Sequence, residues 1–476
     1  MGQDIDRAQF TDEDHRAFRD SLRQETNTLK RWFDEQAFDI SSTFTVGLEL
    51  EAWLIDRNHL PSPRNDEFFA ALDDPDVVAE LSRFNVELNA PPHPLEGGVL
   101  SQTRTELDAT WRKCEQAAAM LDLKPVAIGI LPTVRDEMLQ PAWMSDANRY
   151  RALNAELFRR RGQEPLHVRI EGEDRLDYRC DHIMLEAACT SLQAHLKFNP
   201  DDAVRLYNAA VLAAGPLVAA TANSPFLYGK SLWAETRIPA FEQATDLDGF
   251  RDAAGRNVRR VTLGTGYLRH TFLELFLENL SYPALLPALQ ADTATLPHLR
   301  LQNGTIWRWV RPILGFDGQG APHLRIEHRV MPAGPSMIDT VANLALCHGL
   351  VLSLGQADVP PEHLTPFEDA RANFYTCARD GLGADVLWEG KRVSVQSLLL
   401  ERLIPAAREA LDQAGVDAAD LDALFADVLV PRIRSGRTGT DWQRSFVDCN
   451  GPNLQALTER YIDWQTTGAP VHTWTV

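Results

Sequence analysis

Two glutamates separated by one leucine, Glu49-Leu50-Glu51, sit inside an apolar and β-branched run. Thr43-Phe44-Thr45-Val46-Gly47 leads into the pair and Ala52-Trp53-Leu54-Ile55 follows it. Such a run reads as a strand over residues 43–56. Residues i and i+2 of a strand share a face, so the two carboxylates stand side by side, roughly 7 Å apart. Val46, Leu48, Leu50 and Ala52 then point the other way, into a core. Like charges on one face of an apolar strand repel, and burying them is costly unless a cation neutralises them. On its own the pair is either a solvated sheet face or a site for hard divalent cations.

Three further strand-like segments repeat the pattern. In Phe84-Asn85-Val86-Glu87-Leu88-Asn89, Glu87 shares a face with Asn85 and Asn89. Leu192–Lys197 puts Gln193, His195 and Lys197 on one face and Leu192, Ala194 and Leu196 on the other. Leu324–Arg329 sets Arg325, Glu327 and Arg329 in a row. Each segment alone fits a solvated face. As neighbours in one sheet they build a concave surface of Glu, Gln, His and Arg. Such a surface suits two or three Mg²⁺ ions, which take carboxylate and amide oxygens and keep positions for phosphate. Two ions about 4 Å apart can clamp a phosphoryl group between them. Arg325 and Arg329 are placed to neutralise the charge that develops on it. The segment Asn303–Pro312 adds Arg308 and Arg311, for which buried structural ion pairs are the competing reading.

The rest of the chain narrows the class. At 476 residues it predicts one large domain with appendages, or two domains. Against 47 basic residues stand 67 acidic ones, a net charge of −20, which argues against nucleic acid or an anionic membrane as partner. Cys114, Cys180, Cys189, Cys347, Cys377 and Cys449 have no paired spacing, so reduced thiols are expected rather than disulfides or a zinc site. No signal peptide opens the sequence and no uncharged apolar run approaches 18 residues, so a cytoplasmic protein is expected. Amphipathic or apolar helices are expected at 101–122, 147–161, 203–222 and 336–354, with a helix entering the strand that begins at Leu192. Further strands are expected at Val126–Leu131, Thr305–Arg311 and His323–Val330. From about 360 the chain turns Ala-rich and helical, at 363–382, 394–413 and 417–432, before a Gly/Arg/Thr segment at 434–440. The sum is an α+β protein: residues 1–40 a helical lead-in, 41–358 a catalytic domain, 359–476 a helical extension packed on it. Gly229-Lys230-Ser231 lacks the first glycine of a phosphate-binding loop, and Gly264-Thr265-Gly266 lacks the third of a dinucleotide loop. HExxH and GxSxG are absent.

Seven stretches together resemble the glutamine synthetase superfamily, and within it the glutamate–cysteine ligase branch. They are Glu49-Leu-Glu51, the stretch FNVELNAPPHPLE at 84–96, Asn148-Arg149-Tyr150, Cys189–Leu196, the helix-ending turn Thr221–Leu227, and Ile306-Trp-Arg308 with Arg325-Ile-Glu327-His-Arg329. The resemblance spans roughly 40–355 in the family's order. It implies a curved antiparallel sheet, a half-barrel flanked by helices, with nucleotide entering one end and amino acid the other. It implies Glu49, Glu51, Glu87 and Glu327 as Mg²⁺ ligands (Mn²⁺ being an alternative), and Arg329 and Arg308 as catalytic arginines. Arg325, Arg311, Gln193, His195 and Lys197 become contacts for ATP phosphates, and Asn89, Arg149, Tyr150, Asn223 and Arg237 contacts for substrate. His328, inside the Arg-x-Glu-x-Arg strand, departs from the pattern but is expected on the core side. Residues that would recognise cysteine have no match, and 359–476 has no counterpart in glutamine synthetases.

The implied chemistry is ATP-dependent ligation of a glutamate-like carboxylate to an amine through an acyl phosphate, most simply giving γ-glutamylcysteine. Phosphoryl transfer needs mainly positioning and charge stabilisation, so a face of carboxylates and arginines without a nucleophile suffices. The alternatives are another amine acceptor, a phosphotransferase on the same fold, or a non-catalytic binding homologue that has lost its metal carboxylates. The implied partners are small molecules, with no nucleic acid and no membrane; a homo-oligomer is compatible with the sequence. The stretch RSGRTGTDWQ at 434–443 is either a lid over the site or a surface loop between terminal helices.

Overall fold

A computed structural model describes residues 4–40, 43–247 and 259–476. Residues 1–3 and 41–42, in and beside the expected lead-in, and 248–258 within the expected catalytic domain lie outside the described residues. The main sheet has seven strands: β1 (Thr45–Ile55), β2 (Val77–Ala79), β3 (Asn85–Pro94), β4 (Lys124–Val126), β5 (Ser191–Lys197), β6 (Val310–Phe316) and β7 (Pro322–Pro332). Their spatial order is β6-β7-β5-β1-β3-β2, with β4 on the far end of β1, and every pairing is antiparallel. The sheet curls into a half-barrel, the α+β architecture the resemblance implies.

The glutamate run is thus the hub, paired to β3, β4 and β5 at once. Its register is set by burial. Val46, Leu48, Leu50 and Ala52 are all buried on the face away from the carboxylates, each larger side chain stabilising by roughly 1.5–3 kcal/mol. A slip of one residue would turn Glu49 and Glu51 into that core.

The helices that position the site are α1 (Asp12–Asp34), α2 (Val99–Ala119), α3 (Asn148–Arg160), α4 (Ala203–Thr221), α5 (Arg237–Ala244), α6 (Met337–Gly355), α7 (Phe367–Asp380), α8 (Gly439–Asn450) and α9 (Leu454–Thr467). α4 and α6 pack against each other beneath the sheet. Against the expectation that no apolar run approaches 18 residues, both are long and apolar enough to cross a membrane, but 89% of each apolar window is buried inside this fold, so they are core helices. A capping box fixes the start of α1: Thr11 Oγ1 accepts from Asp14 N at 3.3 Å, and Thr11 N donates to Asp14 Oδ2 at 2.7 Å.

Several local expectations are corrected. The helix expected ahead of β5 is only a 3₁₀ turn, Glu186–Ala188. The strand expected from Thr305 begins at Val310, because Asn303 and Gly304 end the helix Pro297–Gly304 and the chain needs the next residues to climb back to the sheet. The strand expected through Leu131 stops at Val126. Two hairpins lay hidden in charged sequence, Leu166–Glu171 with Arg175–Cys180 and Asp385–Trp388 with Lys391–Ser394.

Residues 434–443 are neither a lid nor a surface loop. Thr438 caps α8, Thr440 N donates to Ala222 O at 3.0 Å, and Gln443 Nε2 donates to Asn223 Oδ1 at 2.9 Å. Gly439 is required here, since a Cβ at that position would overlap Asn223 Oδ1. From α9, Tyr461 Oη and Gln465 Nε2 donate to Ala127 O at 2.9 and 2.8 Å. Gln465 also donates to Pro335 O, and Tyr461 Oη accepts from Asn223 Nδ2 at 2.8 Å.

Candidate active site

Strand register gathers the polar faces. Glu49 lies opposite Asn89 on β3 and Gln193 on β5, and Glu51 lies opposite Glu87. His195 lies opposite Glu327, Lys197 opposite Arg325, and Arg311 opposite Glu327. Two clusters result. Glu49, His195 and Glu327 bring one ligand atom each to within 4.8 Å of one another, with His195 Nε2 3.2 Å from Glu49 Oε1. Glu51, Glu80 and Glu87 do the same. Glu80, the residue after β2, is absent from the sequence reading. It is one acid among several in Asp73–Leu81, and nothing in its spacing marks it as buried.

Arginines and one amide tie the clusters together. Arg311 donates to Glu327 Oε1 at 2.7 Å and Arg329 to Glu327 Oε2 at 2.9 Å, so this carboxylate is gripped from both sides. Arg329 also donates to Gln193 Oε1. Gln193 passes its amide on to Glu51 Oε1 at 3.0 Å, while Ser191 N donates to Glu51 Oε2 at 2.7 Å. Gln193 therefore orients Glu51 against Arg329.

The electrostatics divide the five carboxylates. Burial would raise Glu49, yet facing His195 pulls it down to about 2. Burial is likewise overcome at Glu327, where Arg311 and Arg329 hold the carboxylate well below the usual range. In the other cluster burial wins: Glu51 is pushed up to about 7 despite Arg329. Glu87 is pushed up to about 7 by burial and then by Glu49, and Glu80 well above its ordinary value by burial and then by Glu87. Three carboxylates crowded out of water call for a counter-cation.

The donor set fits Mg²⁺ or Mn²⁺. Glu51, Glu80 and Glu87 offer only carboxylate oxygens, the donors hard cations take, and His195 adds an imidazole that Mn²⁺ accepts readily. Among the described residues, Glu80 Oε1 is buried without a hydrogen-bond partner.

The remaining expected residues divide. Arg325 faces Glu327 and Glu49, the nearest opposite charges, and burial lowers its pKa. Lys197 pairs with Asp39 at 2.5 Å. Asn89 Nδ2 donates to Glu87 Oε1 at 3.3 Å. The Arg149 guanidinium lies over the Tyr150 ring at 4.8 Å, and Tyr150 Oη donates to Ala79 O at 3.5 Å, next to Glu80. Arg308 is not brought to this face. It precedes β6 with the parity of Val310, on the helix side, and pairs with Asn279 Oδ1 at 2.8 Å and Glu278 at 3.3 Å. Asn223 and Arg237 are structural: Asn223 ties α4 to α8 and α9, and Arg237 pairs with Glu235 at 3.1 Å and donates to the carbonyls of Arg329 and Val330. Arg237 thereby supports the backbone that carries Arg329.

A separate cleft of about 700 Å³ lies between α5 and α7, lined by Glu242, Arg259, Arg371, Tyr375 and Trp233 among others. Glu242 accepts from Trp309 Nε1 at 2.9 Å and from Tyr375 Oη at 2.8 Å, while Trp309 O accepts from Arg329 N at 2.9 Å. Trp309 therefore bonds both to a residue lining this cleft and to the strand that carries Arg329.

Comparisons with known proteins bear on the family and the fold. The family model described as glutamate–cysteine ligase family 2 matches residues 45–460. No curated protein sequence matches the chain. Among solved structures, a glutamate–cysteine ligase of Francisella tularensis in complex with AMP superposes with a TM-score of 0.53 at 12% identity, covering 90% of each chain. A bifunctional glutathione synthetase of Pasteurella multocida gives the same TM-score and identity over 90% of this chain and 53% of its own. At that identity the likeness concerns the fold.

Proposed function

The chain belongs to glutamate–cysteine ligase family 2, and from that premise we propose that it joins the side-chain carboxylate of glutamate to an amine, most simply that of cysteine, at the expense of ATP. The observation that carries the reading is the pair of ligand clusters bridged by Arg329, Gln193 and Glu327 on one sheet face. Bound Mg²⁺ would screen the phosphates and draw charge off the transferring group. Glu49, His195 and Glu327 would hold one cation, and Glu51, Glu80 and Glu87 another. Arg325 and Arg311 orient the phosphates at the Lys197 end. Arg329, gripped by Glu327, faces the phosphoryl group as it leaves ATP, and fixed donors stabilise developing charge without reorganising. The substrate carboxylate oxygen bonds to the γ-phosphorus, and the bond to ADP breaks. The amine nitrogen then bonds to the acyl carbon, phosphate leaves with its oxygen, and the ammonium proton is lost to the surroundings. No side-chain nucleophile is required.

All six cysteines are free and five are buried, which supports a reducing, cytoplasmic setting. The test is turnover with ATP, Mg²⁺ and glutamate against a panel of amines, read by ADP release and product mass. Amide formation is expected, and Glu51→Gln should abolish it without unfolding the protein. ADP release that needs no amine would replace the reading with phosphotransfer, and near-normal activity of Glu51→Gln would remove that residue from the metal site.

A further inference from the structure

The main chain of Arg329 is held on both sides by residues that lie behind the catalytic face. Its N–H donates to Trp309 O at 2.9 Å, which carries the β6–β7 ladder one rung past the Val310–His328 pair. Its carbonyl and that of Val330 accept from Arg237, whose guanidinium lies over the Trp309 ring at 5.3 Å. Trp309 is therefore the residue on which Arg329 rests. That indole is fully buried, wedged against Phe241 and Phe374 at centroid distances of 5.7 and 6.1 Å. Its one polar ring atom, Nε1, donates to Glu242 Oε1 at 2.9 Å, and Tyr375 Oη of α7 donates to the same oxygen at 2.8 Å. Arg259 donates to the other Glu242 oxygen at 3.4 Å.

Packing alone would be served here by an apolar residue of similar size, since taking a carboxylate out of water costs several kcal/mol that its partners only partly offset. What Glu242 supplies is an oxygen that takes two donors at once, one from the end of the strand and one from α7. The indole cannot turn or slide without breaking that shared acceptor. Fixed donors act on developing charge only where the charge appears, and a displacement of about 1 Å can lower a rate by roughly 100-fold.

We propose that Glu242 is a positioning residue for phosphoryl transfer: acting through Trp309, and itself held by Tyr375, it sets where Arg329 stands without touching substrate. The inference rests on the ligase reading above, in which Arg329 faces the transferring group, and adds to it a residue from the floor of the neighbouring cleft.

Steady-state kinetics with ATP, glutamate and an accepted amine test this. Glu242→Ala should lower kcat roughly tenfold or more while the KM values for ATP and glutamate stay within about twofold, the pattern of an interaction made only in the transition state. Glu242→Gln keeps an oxygen for both donors and should recover most of that loss. Trp309→Phe keeps an aromatic ring and drops Nε1–H, so it should reproduce the defect, and it carries the test if the thermal midpoint shows Glu242→Ala to be unfolded. Placed in Arg329→Lys, either variant should lower kcat by less than about threefold more, because residues that act through one group are not additive. A packing defect would lower it by the same factor in both backgrounds. A kcat near wild type in Glu242→Ala and Trp309→Phe, equal losses in the two backgrounds, or a defect confined to KM would overturn the inference. A wild type without turnover would remove the ligase reading and this inference with it, whereas turnover indifferent to Glu242 would remove the inference alone.

Discussion

Glu87→Gln isolates the charge crowding at the candidate metal site. Glu87 is fully buried, and burial followed by Glu49 raises its carboxyl from 4.5 to about 7. A carboxylate raised in the fold leaves stability intact below its unfolded pKa and removes it progressively as pH climbs through the folded one. One pKa unit corresponds to about 1.4 kcal/mol, so ionised Glu87 costs the metal-free protein about 3 kcal/mol at pH 8 and under about 1 kcal/mol at pH 5. Glutamine keeps an oxygen for Asn89 Nδ2 and drops the charge. With an unfolding entropy of about 2.1 cal/mol/K per residue, that 3 kcal/mol corresponds to roughly 3 °C for a chain of this length. Differential scanning calorimetry in chelator should therefore show Glu87→Gln melting about 3 °C above wild type at pH 8, with a gain below about 1 °C at pH 5. Added Mg²⁺ at pH 8 should raise the wild type and close the gap. A variant less stable than wild type at pH 8, or equally shifted at both pH values, would refute the argument.

Three further outcomes are expected. Arg329→Lys should lower kcat by roughly 100-fold or more, the cost of losing one preorganised donor to developing charge, with little change in melting; kcat within a few-fold of wild type would place Arg329 outside the transition state. Glu80→Gln should raise the Mg²⁺ concentration for half-maximal activity by more than the roughly tenfold typical of outer-shell partners, and an unchanged metal titration would exclude it as a ligand. Gly439→Ala should destabilise by about 1–3 kcal/mol because its Cβ meets Asn223 Oδ1; a melting temperature equal to wild type would show that the α4–α8 junction yields freely.

Much of the sheet was legible because period-2 alternation around charged residues survives translation into register. Glu49, Glu51, Glu87, Gln193, His195, Glu327 and Arg329 meet on one face for that reason. Glu80 was invisible because its three-residue strand is too short to show a period and its neighbours are ordinary surface acids. Arg308 misled for the opposite reason: the strand starts at Val310, five residues later than its sequence suggests, which leaves Arg308 ahead of the sheet and paired with Asn279 and Glu278 on the helix side. Asn223 and Arg237 carry the polarity of binding residues, yet apart from the neighbouring Glu235 their partners are main-chain carbonyls and α8–α9 side chains separated from them by long stretches of chain.

The pins that α9 drives into the Ala127 and Pro335 loops bear on how the protein comes into being. Every ligand of both clusters is already synthesised by Glu327, but the loops beyond β4 and β7 wait for Tyr461 and Gln465 to be fastened. A nascent chain that has already made all these carboxylates would therefore hold them in an unclamped sheet. Competence to spend ATP would arrive in one step, when α9 docks, rather than growing with the chain.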